Sequence, residues 1–172
     1  VLGEYDLRVP SSLAMAHTPP WRVLARAEAV AGINVLGYFS YDSGLRTAAL
    51  HTIRAAEQVG LAVSARDVPV DVRVINEGGL PRALGLECHP VSLLHLVPGE
   101  STQHAYERAG LWRRPGVYRI GLWYWELEEG EPAWRRQADF LDEIWCPSTF
   151  IADCVRRVMR VPVMTMRPGI EA

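Results

Sequence analysis

From Gly32 onward, short apolar runs alternate with stretches whose apolar residues fall on one helical stripe. That alternation leaves few folds open to the chain. Residues 33–39 read as a buried strand and residues 40–44 as a loop. Leu45, Ala48, Ala49, Ile53, Ala56 and Val59 then share one helical face, and Gly60 ends it. Residues 61–66 read as a second strand, and residues 72–75 as a short third. Residues 91–97 form the next apolar run, closed by Pro98 and Gly99. Ser101 or Thr102 suits a helix cap there, with the helix running to Ala109. A strand containing Val117, Ile120 and Leu122 follows. Trp134, Ala138 and Leu141 then share a helical face. Residues 143–146 read as a strand ended by Pro147, Ser148 caps a helix with the stripe Ile151, Cys154, Val155 and Val158, and residues 161–166 close the series. Strands alternating with helices predict an α/β fold, a single Rossmann-like domain with a doubly wound, mainly parallel sheet and right-handed crossovers.

A length of 172 residues holds one full core and is too short for two ordinary domains. Residues 1–31, broken by Pro10, Pro19 and Pro20, read as a linker or amino-terminal extension with a short helix near Trp21; residues 32–172 read as the domain. The first residue is Val1, and residues 166–172 directly follow a strand-like run, so both ends are expected to continue into a longer protein. A net charge of −2 gives no electrostatic footprint for nucleic acid. Every basic residue is Arg, which excludes a Schiff-base lysine and a phosphate-loop lysine within these residues. Cys88, Cys146 and Cys154 are odd in number and lack C-x-x-C spacing, so they read as free thiols in a reducing compartment. No apolar run approaches the roughly 18 residues of a transmembrane helix.

Three constellations carry candidate chemistry. Asp42, Ser43 and Gly44 stand between the first strand and its helix, where a glycine lets backbone N–H groups approach a phosphate and the helix start is electropositive. A plain turn capped by Ser43 explains the same residues. The third glycine of a dinucleotide fingerprint is absent, since position 46 is Arg, which disfavours a nicotinamide oxidoreductase. His95 sits in a strand, where a hydrogen-bonded core histidine is the commoner role. Trp123, Tyr124, Trp125, Glu126, Glu128 and Glu129 follow the fifth apolar strand, joining aromatic faces to carboxylates; this suits a sugar-binding wall, and equally a Trp-rich packing seam beside a solvated acidic turn. His89 and His95 have no partner at metal-ligand spacing, and no G-x-S-x-G elbow occurs.

Four segments, in order, resemble one family. Residues 33–38 with Asp42, Ser43, Gly44 and Leu45 resemble an opening strand and glycine loop; residues 93–96 resemble a middle strand ending near an acceptor cleft. Residues 121–129 with Trp134 resemble a GYWxWELEE…W pattern, and residues 142–150 a DEvWvPSxF segment. The chain thereby resembles the amino-terminal half of a retaining GT-B-fold glycosyltransferase, family 4 or group 1-like. The resemblance covers roughly residues 32–170. It implies transfer of a sugar from a nucleotide-sugar donor to a sugar-containing or other hydroxyl acceptor, with retention of anomeric configuration. By the same resemblance, Glu126 is the candidate catalytic carboxylate, Ser43, Gly44 and Leu45 face the donor phosphates, and Asp42, His95, Trp125 and Glu128 contact the acceptor. No metal or cofactor is implied. The expected partner is a carboxyl-terminal Rossmann domain of the same protein, without which the fragment is expected to be inactive. The expected setting is cytoplasmic, with the inner membrane surface as a second possibility. Two positions depart from the subgroup: Arg46 replaces a glycine, and Val97 stands near where Asn is usual. The Arg46 departure and the absence of a second domain from these residues favour the alternative of a non-catalytic Rossmann-like module that binds a carbohydrate or a partner.

Overall fold

The computed structural model describes residues 31–70, 85–137 and 140–168. Eight strands are present among them: β1 (Gly32–Gly37), β2 (Ala62–Asp67), β3 (Gly85–Leu86), β4 (Val91–His95), β5 (Leu111–Trp112), β6 (Tyr118–Leu122), β7 (Glu143–Cys146) and β8 (Val163–Thr165). The helices are α1 (Gly44–Gln58), α2 (Thr102–Arg108) and α3 (Thr149–Val158), with a 3-10 helix at Pro132–Gln137. Six strands form one parallel sheet in the order β2-β1-β4-β6-β7-β8; β3 and β5 make a separate parallel pair. The expected α/β class and Rossmann-like arrangement are what the structure has.

The central strands β1, β4 and β6 are largely buried because helices cover both faces of the sheet there. β1 steps to β2 in one direction and β4 steps to β6 in the other. Right-handed crossovers therefore send α1 and α2 to opposite faces. Packing agrees: Ala49 of α1 lies against the Gly37 and His95 side of the sheet, while Ala105 and Tyr106 of α2 join Leu36 and Leu94 in the main core. That core continues through Leu96, Trp123, Trp134, Ile144 and Val155. Each helix starts as its local sequence demands. Ser43, Ser101 and Ser148 accept hydrogen bonds from the N–H groups of Arg46, His104 and Ile151, at 3.3, 3.4 and 3.3 Å.

Three expectations change in detail. The helical face of Trp134, Ala138 and Leu141 shortens to the 3-10 helix, and Leu141 instead packs into the core ahead of β7. Pro132 starts that helix, and six residues leave no room for a second α-turn. The strands expected at residues 91–97 and 161–166 end at His95 and span only Val163–Thr165. The short β3 and β5 were not anticipated, since two residues carry no period. The expected helix near Trp21, the strand at residues 72–75, Ala138 and the chain end after Pro168 lie outside the described residues.

Beneath the amino edge of the sheet lies a buried polar cluster. The Glu87 carboxylate accepts from Ser92 Oγ at 2.8 Å, Tyr106 OH at 2.6 Å, the Arg114 amide at 2.6 Å, and Arg119 Nε and a guanidinium NH2 at 3.1 and 2.5 Å. Arg119 also donates to the Val117 and Arg114 carbonyls. Asn34 completes the edge, accepting from the Cys88 and His89 amides and donating to the His89 and Val91 carbonyls and to Ser92 Oγ. Every buried donor and acceptor here has a partner, the condition under which such a cluster is tolerated.

Candidate functional site

In an open parallel sheet, ligands bind outside the carboxyl ends of the strands, where successive connections leave for opposite faces. Here that point lies between β1 and β4. The loop after β1 leads to α1 on one face, and the loop after β4 leads to α2 on the other. The segment after β6 borders them, because β6 is the next strand across. Ser43, Gly44 and Leu45, then His95, then Trp125, Glu126 and Glu128 thus lie along one edge on three neighbouring strands. The sheet order puts the elements that carry these candidate residues at one edge, although they are spread over more than eighty positions of sequence.

The loop after β1 is held from two sides. On one side Asp67, the last residue of β2, accepts from the Ser40 amide at 3.0 Å and from Ser40 Oγ through a short hydrogen bond. On the other, Tyr38 OH donates to Glu100 Oε2 at 3.2 Å and accepts from the Val97 amide at 3.5 Å. Glu100 is itself paired with Arg108 at 2.9 Å. Burial and the nearby Glu100 charge both raise the pKa of Tyr38, so it stays a phenol and a donor. Neither Asp67 nor Glu100 stood out in the sequence. A lone acid at a strand end or in a polar turn carries no period and no motif.

Beyond this anchored stretch, Ser43 Oγ serves the cap, as a plain turn would have it. The Gly44 Cα faces open space, with no heavy atom within 4 Å of where a Cβ would stand. Packing therefore does not require a glycine there. Among the described residues the Gly44 and Leu45 N–H groups meet no acceptor, as the first amides of a helix usually do not. The Leu45 side chain packs on the core, so only its amide can serve a ligand. Asp42 is exposed and pairs with Arg46 at 3.1 Å. The arginine that departs from the subgroup thus occupies a carboxylate named for acceptor binding.

His95 is the unusual group at this edge. It is fully buried, and neither ring nitrogen has a hydrogen-bond partner among the described residues. Burial lowers its pKa from 6.5 to about 4, so the ring is neutral near pH 7. It is adjacent to Gly37 in the β1–β4 register, and a Cβ at Gly37 would stand 3.4 Å from His95 Cβ and 3.7 Å from the Phe39 ring. The burial is that of a core histidine, but the hydrogen bonds expected of one are not made among the described residues.

The aromatic segment divides between packing and surface. Trp123 and Trp125 both meet Trp134 edge-on, with ring centres 5.5 and 4.9 Å apart. The Trp125 indole N–H donates to the Glu129 carbonyl at 2.9 Å. This is the packing seam that the sequence also allowed, and it leaves only part of Trp125 for a ligand. Tyr124 is half-buried, and burial raises its pKa. Glu126 and Glu128 are exposed. The Glu128 carbonyl accepts from Arg157 at 2.9 Å, which ties the segment to α3, whereas Glu126 makes no hydrogen bond or ion pair among the described residues.

Tyr41, Val97, Leu127, Phe150 and Met166 are all large, exposed and apolar. They follow β1, β4, β6, β7 and β8 in sequence, Phe150 in the first turn of α3 and the others in loops. Among the described residues no group of three or more His, Cys, Asp or Glu side chains is placed to hold a metal ion. Nor is any described helix long and apolar enough to cross a membrane.

Fold and edge together define a Rossmann-like α/β domain with a candidate ligand site at its topological switch point. No protein-family model, curated protein or solved structure matches the chain.

Proposed function

We propose that the chain is the amino-terminal, acceptor-side domain of a retaining glycosyltransferase that uses a nucleotide-sugar donor. The observation that carries the reading is His95, a buried neutral imidazole with two unpartnered nitrogens at the switch point. An unpaired buried polar group costs free energy unless a ligand completes it. A sugar hydroxyl both donates and accepts, and so suits a neutral imidazole once the edge over this fully buried ring opens to admit it. The free Gly44 and Leu45 amides then meet a diphosphate. The exposed Glu126 carboxylate faces the positive charge that develops at the anomeric carbon, or orients the acceptor hydroxyl. Asp42, Glu128 and the open part of Trp125 line the acceptor side. In the reaction the bond from the anomeric carbon to the diphosphate oxygen breaks. A bond to the acceptor oxygen forms on the same face, and the acceptor proton leaves with the diphosphate.

The five exposed apolar side chains along the same edge suit a face that a second domain covers. A cleft built that way is incomplete in this chain, which is then inactive by itself. The test is transfer from a panel of nucleotide sugars to sugar acceptors, with the 172 residues alone and within any longer protein that contains them. Turnover only in the longer protein supports the reading; robust turnover by the 172 residues alone refutes it.

One observation favours a second reading, a carbohydrate- or partner-binding module without catalysis. Arg46 occupies Asp42, where the resembling enzymes carry glycine in place of the arginine. A longer protein that binds sugar but never transfers it would select this alternative.

A further inference from the structure

We infer that Asp67 is a positioning residue, which holds the loop after β1 in the shape that the switch-point site uses. The inference rests on the reading of this edge as a ligand site, and it concerns a residue on a strand that carries none of the named site groups.

Gly37 is in register with Asp67 on one side and with His95 on the other. Side chains of register partners in a parallel sheet leave the same face. Asp67 and His95 therefore flank a position that has no side chain at all. The Val68 amide donates to the Gly37 carbonyl at 2.8 Å, which continues the pairing one residue further and places the Asp67 carboxylate under the turn. Asp67 is buried, and both its oxygens are spent on Ser40, one on the amide and one on the hydroxyl. A buried carboxylate is costly to desolvate, and this one returns no ion pair among the described residues. What it does is fix one residue of a loop, from a strand that lies outside the crevice.

The opposite anchor shows what that fixation achieves. Tyr38, two residues before Ser40, is tied to Glu100 and Val97 in the loop after β4. The turn is thus stretched between β2 and the β4 loop, with Phe39 between the two anchor points and its ring near Gly37. Asp42, Ser43 and Gly44 follow directly. Released from Asp67, the turn keeps its Tyr38 anchor and the backbone bonds from the Phe39 and Tyr41 amides to the Gly37 and Tyr38 carbonyls, and swings about them. The free amides at the start of α1 then lose their fixed place relative to His95. Asp67 acts through Ser40 and touches no ligand itself.

Amide hydrogen exchange of the 172-residue chain, read by NMR, tests this without a sugar donor or acceptor, so failure of the clamp and failure of the transferase reading are separate results. Asp67→Ala is expected to speed exchange of the Ser40 amide about tenfold or more, while amides of β4 and β6 keep their rates. Asp67→Asn is expected to restore most of the protection, because its amide oxygen still accepts from the Ser40 N–H and its NH2 can donate to the hydroxyl. Ser40→Ala removes only the hydroxyl bond and leaves β2 untouched; a severalfold faster amide at position 40 is expected there too. Unchanged exchange at position 40 in Asp67→Ala overturns the inference. So does uniform acceleration across all strands, or an Asp67→Asn variant as fast as Asp67→Ala. Where Asp67→Ala does not fold, unchanged exchange in Ser40→Ala overturns it.

Discussion

Glu87 and Arg119 form a two-point ion pair buried beneath the amino edge of the sheet, with side-chain exposures of 0% and 8% and a closest contact of 2.5 Å. The edge opposite the candidate site is therefore the one with the strongest internal electrostatics. Its charges are fully engaged, whereas the carboxyl edge keeps unpartnered amides and an unpartnered histidine. The buried ion pair and the candidate site lie at opposite ends of the strands.

Removing one member of that pair should be costly. Arg119→Leu leaves the Glu87 carboxylate buried with neutral donors only, and Glu87→Ala leaves a buried guanidinium. Each single change is expected to destabilise the chain by about 3–5 kcal/mol, read by urea unfolding. A loss below about 1 kcal/mol would mean that water reaches the pair.

His95 makes stability depend on pH. Its folded pKa is about 4, below the ordinary 6.5, because burial disfavours the charged ring. The unfolded chain therefore binds the extra proton first as pH falls. Stability from this group is complete above about pH 6.5, declines between about 6.5 and 4, and is lost below that, a total of about 3 kcal/mol. His95→Leu should flatten that interval relative to the parent chain. Denaturant melts of both proteins at a series of pH values would show it, and parallel curves would mean that the ring is partnered or hydrated.

Gly37 should not tolerate a side chain. An added Cβ would stand 3.3 Å from Ala49 Cβ and 3.4 Å from His95 Cβ, both fixed to backbone and unable to swing aside. Gly37→Ala is expected to destabilise by about 1–3 kcal/mol in a thermal melt. An unchanged or raised melting temperature would show that α1 can shift off the sheet at little cost.

Trp134 and Glu126 should separate packing from chemistry. Trp134 is 1% exposed and carries both Trp123 and Trp125, so Trp134→Ala is expected to cost about 3–5 kcal/mol. Glu126→Gln, at an exposed position, should change stability by less than about 0.5 kcal/mol. In an active longer protein the same Glu126→Gln change is expected to lower turnover about tenfold or more. If Glu126→Gln unfolds the domain yet leaves activity per folded molecule intact, Glu126 is structural.

Much of the fold was legible because its signals are local. A serine before an apolar stripe caps a helix, and Ser43, Ser101 and Ser148 all do so. The run from Val117 to Leu122 had to be a strand enclosed by other elements, and β6 is central. The candidate site was legible only as pieces. Asp42, Ser43 and Gly44 looked like a ligand loop or a capped turn, and the cap is realised while Gly44 stays open. The aromatic segment looked like a sugar wall or a packing seam; Trp123, Trp125 and Trp134 make the seam, and Glu126 is left at the surface. The lone residues Asp67, Glu87, Glu100 and Arg119 gave no signal, since a single polar residue has no periodicity to read.

What the sequence determined alone was the class of the fold, because the apolar period distinguishes strand from helix within a window of a few residues. The tertiary structure decided the strand order, and with it which loops meet. β1 lies between β2 and β4, although a helix and a long connection separate each from it in sequence. That placement sets Asp67 and His95 on either side of Gly37 and puts the loops after β1 and β4 side by side. It also decided that His95 is buried without a partner and that Glu87 is buried with several. Both outcomes are fixed by packing between segments far apart in the chain, and no local pattern encodes them.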